Sequence, residues 1–359
     1  MTTALVHDYL LVLRGAERTF AAIADEWPDS PIYTTLYDEK ATRGRFATHD
    51  VRTSFLQRTG ATQESFRRLL PLFPAAVARL PVAEHDVVIS SSSAFAHGVR
   101  AREGAVHVCY CHSPFRYVWH ERGVALSEMP RPLRPVGSLV LRGVRRWDLA
   151  AAHRVTHYVA NGEITRRRIQ EFYGRDAPVI HPPVELDRFA ANNVVPDEWL
   201  LIVCALVRHK RVDRALAAAR AAGRRVKVVG EGPERERWQH EFGDVAEFLG
   251  RLDDATLTSL YQRAQALIVP NVEEFGITAV EAQAAGRPVL AIDGGGARET
   301  VVPGVTGELV AQDELAEAMR GLDFTRYDPG AARANAERFS EAAFRAALRA
   351  EVERAVAGH

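Results

Sequence analysis

The sequence predicts an α/β protein built from two parallel-sheet domains, and three features carry that prediction. Short apolar, β-branched runs alternate with amphipathic helical stretches through both halves of the chain. Several of the runs empty into loops of glycine, serine and histidine, as strands do at the carboxyl edge of a parallel sheet. A length of 359 residues suits two domains of ordinary size.

Composition narrows the class. A content of 47% hydrophobic and 26% charged residues is that of a soluble globular protein. No apolar run approaches the roughly 20 residues that a membrane span requires. The opening MTTALVHDYL has no basic stretch ahead of an apolar core, so a cytoplasmic protein without a secretory signal is expected. Cys109, Cys111 and Cys204 cannot make a disulfide framework and read as reduced core residues. A net charge of zero argues against general nucleic-acid binding. Residues 1–185 carry +5 and the remainder −5, a basic first half compatible with an anionic acceptor or an anionic membrane surface.

The elements follow in order. Thr3 to Val6 reads as a buried strand, followed by His7-Asp8-Tyr9 and a helix opened by Gly15-Ala16-Glu17 that runs to about Glu26. Such a helix start can cradle an anion, but with one glycine and no G-x-G it is not a dinucleotide fingerprint. Ile32 to Leu36 is a strand. Phe66 to Phe73 mixes apolar residues with Arg67 and Arg68; packing on its own domain is the favoured reading and a membrane-surface patch the competing one. Asp86 to Ser90 is a strand ending in four serines, among them Ser91, whose hydroxyl at a strand's carboxyl end suits ligand binding. Val106 to Cys111 is another, ending in His112-Ser113-Pro114-Phe115-Arg116-Tyr117. A lone histidine is usually structural. One at a strand's carboxyl end before a Ser-Pro turn is placed for a ligand, with Arg116 and Tyr117 as further candidate contacts. His157 to Ala160 is a strand, with Asn161 as the N-cap of the next helix. The paired prolines of His181-Pro182-Pro183 stiffen a linker.

The second half opens with a buried strand, Leu200 to Leu206, then Arg208-His209-Lys210-Arg211 and a helix. Lys210 is one of three lysines among 46 basic residues, which makes its place after a strand conspicuous. Val226 to Val229 leads into Gly230-Glu231-Gly232-Pro233, where glycines permit close backbone approach. A helix over residues 253–264 precedes the strand Ala266 to Val269. The stretch VEEFGITAVEAQAAGRPVLA then places Glu273 in a loop, a helix from about Gly276 to Ala285 carrying Glu281, Gly286 at its end, and a further strand. Free N–H groups at that helix start favour an anion. Gly294-Gly295-Gly296 reads as a flexible, anion-friendly loop. From about Leu315 the chain is helical, with Ser340 capping the last helix.

Glu273 and Glu281, with Phe275-Gly276-Ile277 between them, resemble the E-x7-E motif of retaining glycosyltransferase family 4. CYCHSPFRYVW resembles a segment of that family's mannosyltransferase-rich branch. The resemblance covers nearly the whole chain. It implies the GT-B fold: two Rossmann-like domains with a cleft between them, an acceptor-side domain over 1–183, a donor domain over 184–338, and a final helix over 339–359 packing back on the first domain. By the same resemblance Glu273 and His112 face the transferred sugar, Glu281 binds the ribose, and Lys210 meets the diphosphate. Gly15, Ala16, Gly230, Gly232 and the Phe275–Ile277 amides border the donor. Three positions depart from the pattern: Ala16 replaces a second glycine, Gly162 a serine, and Ala205 the arginine that pairs with Lys210 on the diphosphate. Arg208 or Arg211 is the candidate to supply the missing charge.

The implied function is retaining transfer of a hexose from a nucleotide diphosphate sugar, with GDP-mannose as first donor, to a glycan or lipid-linked acceptor. No metal or cofactor is implied beyond this co-substrate, and peripheral membrane association is compatible with it. A UDP-sugar transferase of the same fold and a catalytically silent nucleotide-sugar-binding relative are the alternatives, the second favoured only by Ala205.

Overall fold

The computed structural model describes residues 1–127, 129–189 and 194–359. These divide into two compact units, Met1–His181 with Phe344–His359, and Pro182–Ala343.

The first unit holds a six-stranded parallel sheet made of β1 (Thr3–His7), β2 (Ile32–Thr34), β3 (Val51–Thr53), β4 (Val87–Ser92), β5 (Val106–Cys111) and β6 (His157–Ala160), in the order β3-β2-β1-β4-β5-β6. Alternate residues serve opposite faces. Ala4, Val6 and Val88 enter one apolar cluster, while Leu5, Ile89 and Val108 enter another. Both faces are covered, which is why these strands read as continuous apolar runs rather than polar–apolar alternations. The helix Glu341–Ala357 adds Phe344, Leu348 and Val352, spaced four apart on one stripe, to the cluster of Leu5 and Ile89. Glu351 on that helix bonds His157 Nε2 at 2.6 Å.

The second unit repeats the plan with β7 (Trp199–Val203), β8 (Arg225–Val229), β9 (Ala246–Gly250), β10 (Ala266–Val269), β11 (Val289–Ile292) and β12 (Gly307–Val310). Their order is β12-β11-β10-β7-β8-β9. Counted from its own first strand, this is the same doubly wound order as the first sheet. Each sheet therefore reverses winding once, between β1 and β4 and between β7 and β10, and ligands of such sheets sit outside the carboxyl ends of the strands at that reversal.

The structure revises several local expectations. β3 and β12, edge strands of three and four residues, carry too few side chains to show a period. The strand expected over 200–206 ends at Val203, and the one expected to end at Ser90 continues to Ser92. Asn161 is not an N-cap. Its N–H is committed to the Cys111 carbonyl at 3.2 Å, so the helix starts at Glu163 after an uncapped Gly162. Phe66–Leu72 forms a 3-10 helix, with Phe66 and the adjoining Phe73 buried and Arg67 and Arg68 exposed.

Candidate functional site

In the first unit, the reversal point gathers the carboxyl ends of β1, β4 and β5. Parallel pairing sets His7 beside Ser91 and Ser92 beside Cys111. The Ser91 hydroxyl lies 3.1 Å from His7 Nδ1 and 2.8 Å from His112 Nε2, so one serine bridges two buried imidazoles. Burial pushes His112 down to about 4, and burial with the neighbouring His112 pushes His7 down to about 3. Both rings are neutral near pH 7 and act as hydrogen-bonding groups, not cations. Asp8, next after His7, accepts backbone N–H groups from Ser93, Ala94, Phe95 and Ala96 at 2.6, 3.0, 2.7 and 2.6 Å. That carboxylate folds the loop leaving β4 and so fixes Ser91. Arg116 is exposed, 3.9 Å from Glu121. Tyr117 packs edge-on against Phe115 with ring centres 5.8 Å apart.

At Gly15 and Ala16, the first turn of the helix Gly15–Glu26 already carries a carboxylate of its own. Glu17 accepts the Arg14 N–H at 3.0 Å, and burial pushes its carboxyl up to about 7.

In the second unit, β7 exits through Cys204-Ala205-Leu206 into the 3-10 turn Arg208–Lys210. Lys210 Nζ reaches Glu273 Oε1 at 2.8 Å, with the two side chains 23% and 22% exposed. The loops after β7 and β10 thus meet at the reversal point through an ion pair. Gly276 has φ 84°, a backbone state that disfavours any side chain, and a Cβ there would meet nothing within 4 Å. Glycine is required for the turn, and the space beside it stays open. The helix Ile277–Ala284 begins immediately after. Phe275 contributes its backbone to this corner, its ring being buried 5.5 Å from that of Phe339. Glu281 is oriented by the buried Tyr261 hydroxyl, which donates to its Oε2 at 2.7 Å.

Arg208 and Arg211 separate clearly. Arg208, 83% exposed, bonds Glu234 at 2.9 Å. Arg211 follows Lys210 with φ 54°, and its Nε is buried with no hydrogen-bond partner among the described residues.

Two glycine-rich loops take a meaning different from the one expected. A Cβ on Gly230 would overlap the Cys204 carbonyl, and one on Gly232 the Leu206 carbonyl. Their close approach is to the segment that leads to Lys210, which they hold down, and no ligand is needed to explain them. Gly296 lies against the Phe275 backbone and donates its N–H to the Glu273 carbonyl at 2.8 Å, while a Cβ on Gly294 would press on Val272. The loop read as flexible and anion-friendly is instead the close-packed floor under Glu273.

With this geometry in hand, comparison with known proteins is direct. Residues 13–188 match the family model described as Glycosyltransferase Family 4, and residues 184–344 the one described as Glycosyl transferases group 1. Each half of the chain matches a glycosyltransferase family model. Glycogen synthase of Mycobacterium tuberculosis is 33% identical over 149 residues, covering 38% of this chain and 36% of that protein. D-inositol 3-phosphate glycosyltransferase 2 of Catenulispora acidiphila is 32% identical over 200 residues, covering 46% of this chain and 47% of that protein. The chain thus spans less than half the length of these curated relatives. Among solved structures, Anabaena HepE in complex with UDP superposes with a TM-score of 0.73 at 17% identity, covering 99% of this chain and 100% of that one. Sucrose-phosphate synthase from Thermosynechococcus elongatus gives 0.72 at 16% identity, with both chains fully covered. These two are likenesses of fold. The chain has the GT-B composition of two Rossmann-like domains.

Tyr261, His7 and Asp8 are the residues of these two sites that sequence reasoning gave no individual role. His7 and Asp8 stood in the quoted segment. Their partners, Ser91 and the loop amides of 93–96, lie more than eighty positions away. Nothing local marks Tyr261 as the support of Glu281.

Proposed function

We propose that this protein is a retaining hexosyltransferase that uses a nucleotide diphosphate sugar. The observation that carries the reading is the meeting of Lys210 and Glu273 at the reversal point of the second sheet, with Glu281 one helix turn further in. In the proposed reaction the bond from the anomeric carbon to the diphosphate oxygen breaks. A bond from that carbon to the acceptor hydroxyl forms on the same face, and the leaving phosphate takes the hydroxyl proton. The task for the protein is to stabilise charge growing on the leaving diphosphate. Lys210 is the cation assigned to it, the diphosphate competing with Glu273 for the ammonium. N–H groups at the start of the helix Ile277–Ala284 and the guanidinium of Arg211 add to it, Arg211 taking the place left by Ala205. Glu281, already oriented by Tyr261, receives the ribose hydroxyls. In the first unit, neutral His112 is assigned a hydrogen bond to the transferred sugar.

GDP-mannose is the donor we propose first, from the resemblance of CYCHSPFRYVW and EEFGITAVEAQAAGRPV to the mannosyltransferase branch. A UDP-hexose is the second reading, favoured by the UDP bound in the structurally similar HepE. Incubation with radiolabelled GDP-mannose and UDP-glucose in parallel separates the two. Label transferred only from GDP-mannose supports the first reading, and only from UDP-glucose the second. Tight nucleotide-sugar binding without transfer from either would make the chain a silent binding protein.

A further inference from the structure

The first unit contains an apolar cavity of about 410 Å³ that the transferase reading does not use. This volume lies within the range of about 300–1,000 Å³ that small-ligand sites span. Its inner wall is made by Phe95 and Phe115, the residues three and four positions beyond the carboxyl ends of β4 and β5. Those are the strand ends that carry Ser91 and His112. The outer wall is the helix Arg134–Ala152, which turns Leu141 and Val144 inward. At the mouth the apolar lining comes to the surface, with Leu133 56% and Val136 62% exposed, and Leu139 beside them 69% exposed. A contiguous apolar mouth on a soluble domain costs free energy in water and marks a surface that something covers.

The charges around it say what kind of molecule. Arg67 and Arg68 line the cavity and have no carboxylate partner among the described residues. Arg142 and Arg146 are exposed on the same helix as Val136 and Leu139. Residues 1–185 as a whole carry +5. A hydrocarbon slot bordered by arginines that have no carboxylate partner among the described residues is complementary to one long apolar chain ending in a phosphate or diphosphate.

We propose that this cavity binds the hydrocarbon chain of an anionic lipid that bears the acceptor hydroxyl. The proposal rests on the transferase reading for the word acceptor, and on the cavity alone for the lipid. It replaces the two open acceptor classes, glycan or lipid-linked, with the second.

The test is a calorimetric titration of the full chain with butyl, octyl and dodecyl phosphate, each below its micelle concentration. Binding to phosphatidylglycerol vesicles is measured alongside. Filling an apolar slot strengthens affinity by up to about fourfold per added methylene. Dodecyl phosphate should therefore bind orders of magnitude more tightly than butyl phosphate. Ala125→Phe, which fills the slot, and Val140→Glu, at its partly exposed edge, should both flatten that dependence. Near-ultraviolet dichroism and a thermal melt equal to the parent's show that the first unit of each variant folds. Affinity independent of chain length would overturn the proposal, leaving only attraction of the arginines for phosphate. Binding to vesicles without binding to monomeric alkyl phosphates would overturn it in favour of a membrane-surface patch. Chain-length dependence in a protein that transfers no hexose would keep the lipid slot and overturn its assignment to an acceptor.

Discussion

Lys210 and Glu273 form a pair about three-quarters buried, so the cost of desolvating both charges offsets much of their attraction and the net ground-state contribution to stability is small. Its effect on catalysis is expected to be larger. Lys210→Ala should lower kcat by about 10²–10³-fold, the loss typical of removing one donor to developing charge, while the melting temperature moves little. Steady-state kinetics beside a thermal melt checks this. Tyr261→Phe removes only the hydroxyl that holds Glu281, so it should raise donor KM several-fold with kcat nearly kept. Glu281→Ala should raise it further, by about 1.5–3 kcal/mol in binding. Equal nucleotide affinity in both variants and the parent, by calorimetry, would remove Glu281 from the ribose. The titrating groups of the first unit pull stability in opposite directions. His7 and His112 have folded values below the ordinary 6.5, so the stability they confer is present above pH 6.5 and is lost as pH falls toward about 3 for His7 and about 4 for His112. Glu17 is raised from 4.5 to about 7, so its contribution is full below pH 4.5 and is lost as pH rises through 7. Glu17→Gln should therefore remove a fall in stability between about pH 4.5 and 7, on the order of 3 kcal/mol by linkage, as read from urea melts across that range.

At the scale of elements, the loops are placed by glycines with two distinct duties, and substitution tells them apart. Gly276→Ala meets open space and bears only the strain of its left-handed backbone, roughly 1–2 kcal/mol. Gly232→Ala collides with the Leu206 carbonyl, so the segment before Lys210 must move. Its stability loss should exceed that of Gly276→Ala, and donor KM should rise with it. Urea midpoints and donor titrations of the two variants give the comparison. Much of this framework was legible in the sequence, because buried parallel strands announce themselves as apolar runs and their exits carry the polar residues. β5 and the helix after Glu273 were visible in that way to within a residue or two. What stayed hidden needed a partner from elsewhere in the chain. Asp8 looks like an ordinary loop acid until the 93–96 amides fold onto it. Gly230 and Gly296 look like ligand loops until the carbonyls they touch are in place. Tyr261 lies twenty residues from Glu281 on a different helix.

For the whole molecule, two sheets of the same winding order each place their polar residues at one reversal point, and the chain closes on a helix that completes the core of the first unit. Truncation after Ser340 would strip Phe344, Leu348 and Val352 from that core and break the His157–Glu351 bond. At about 1.5–3 kcal/mol for each large buried side chain, such a truncation should unfold the first unit near room temperature, with loss of its near-ultraviolet dichroism. No helix among the described residues is long and apolar enough to cross a membrane. The central claim is that the second unit activates a nucleotide diphosphate sugar through Lys210, and single-turnover transfer of labelled hexose with the parent and Lys210→Ala tests it most directly. The account predicts label in product with retained anomeric configuration for the parent, and a rate about 10²–10³-fold slower for the variant at saturating donor. Equal rates for the two, or inversion at the anomeric carbon, would contradict it.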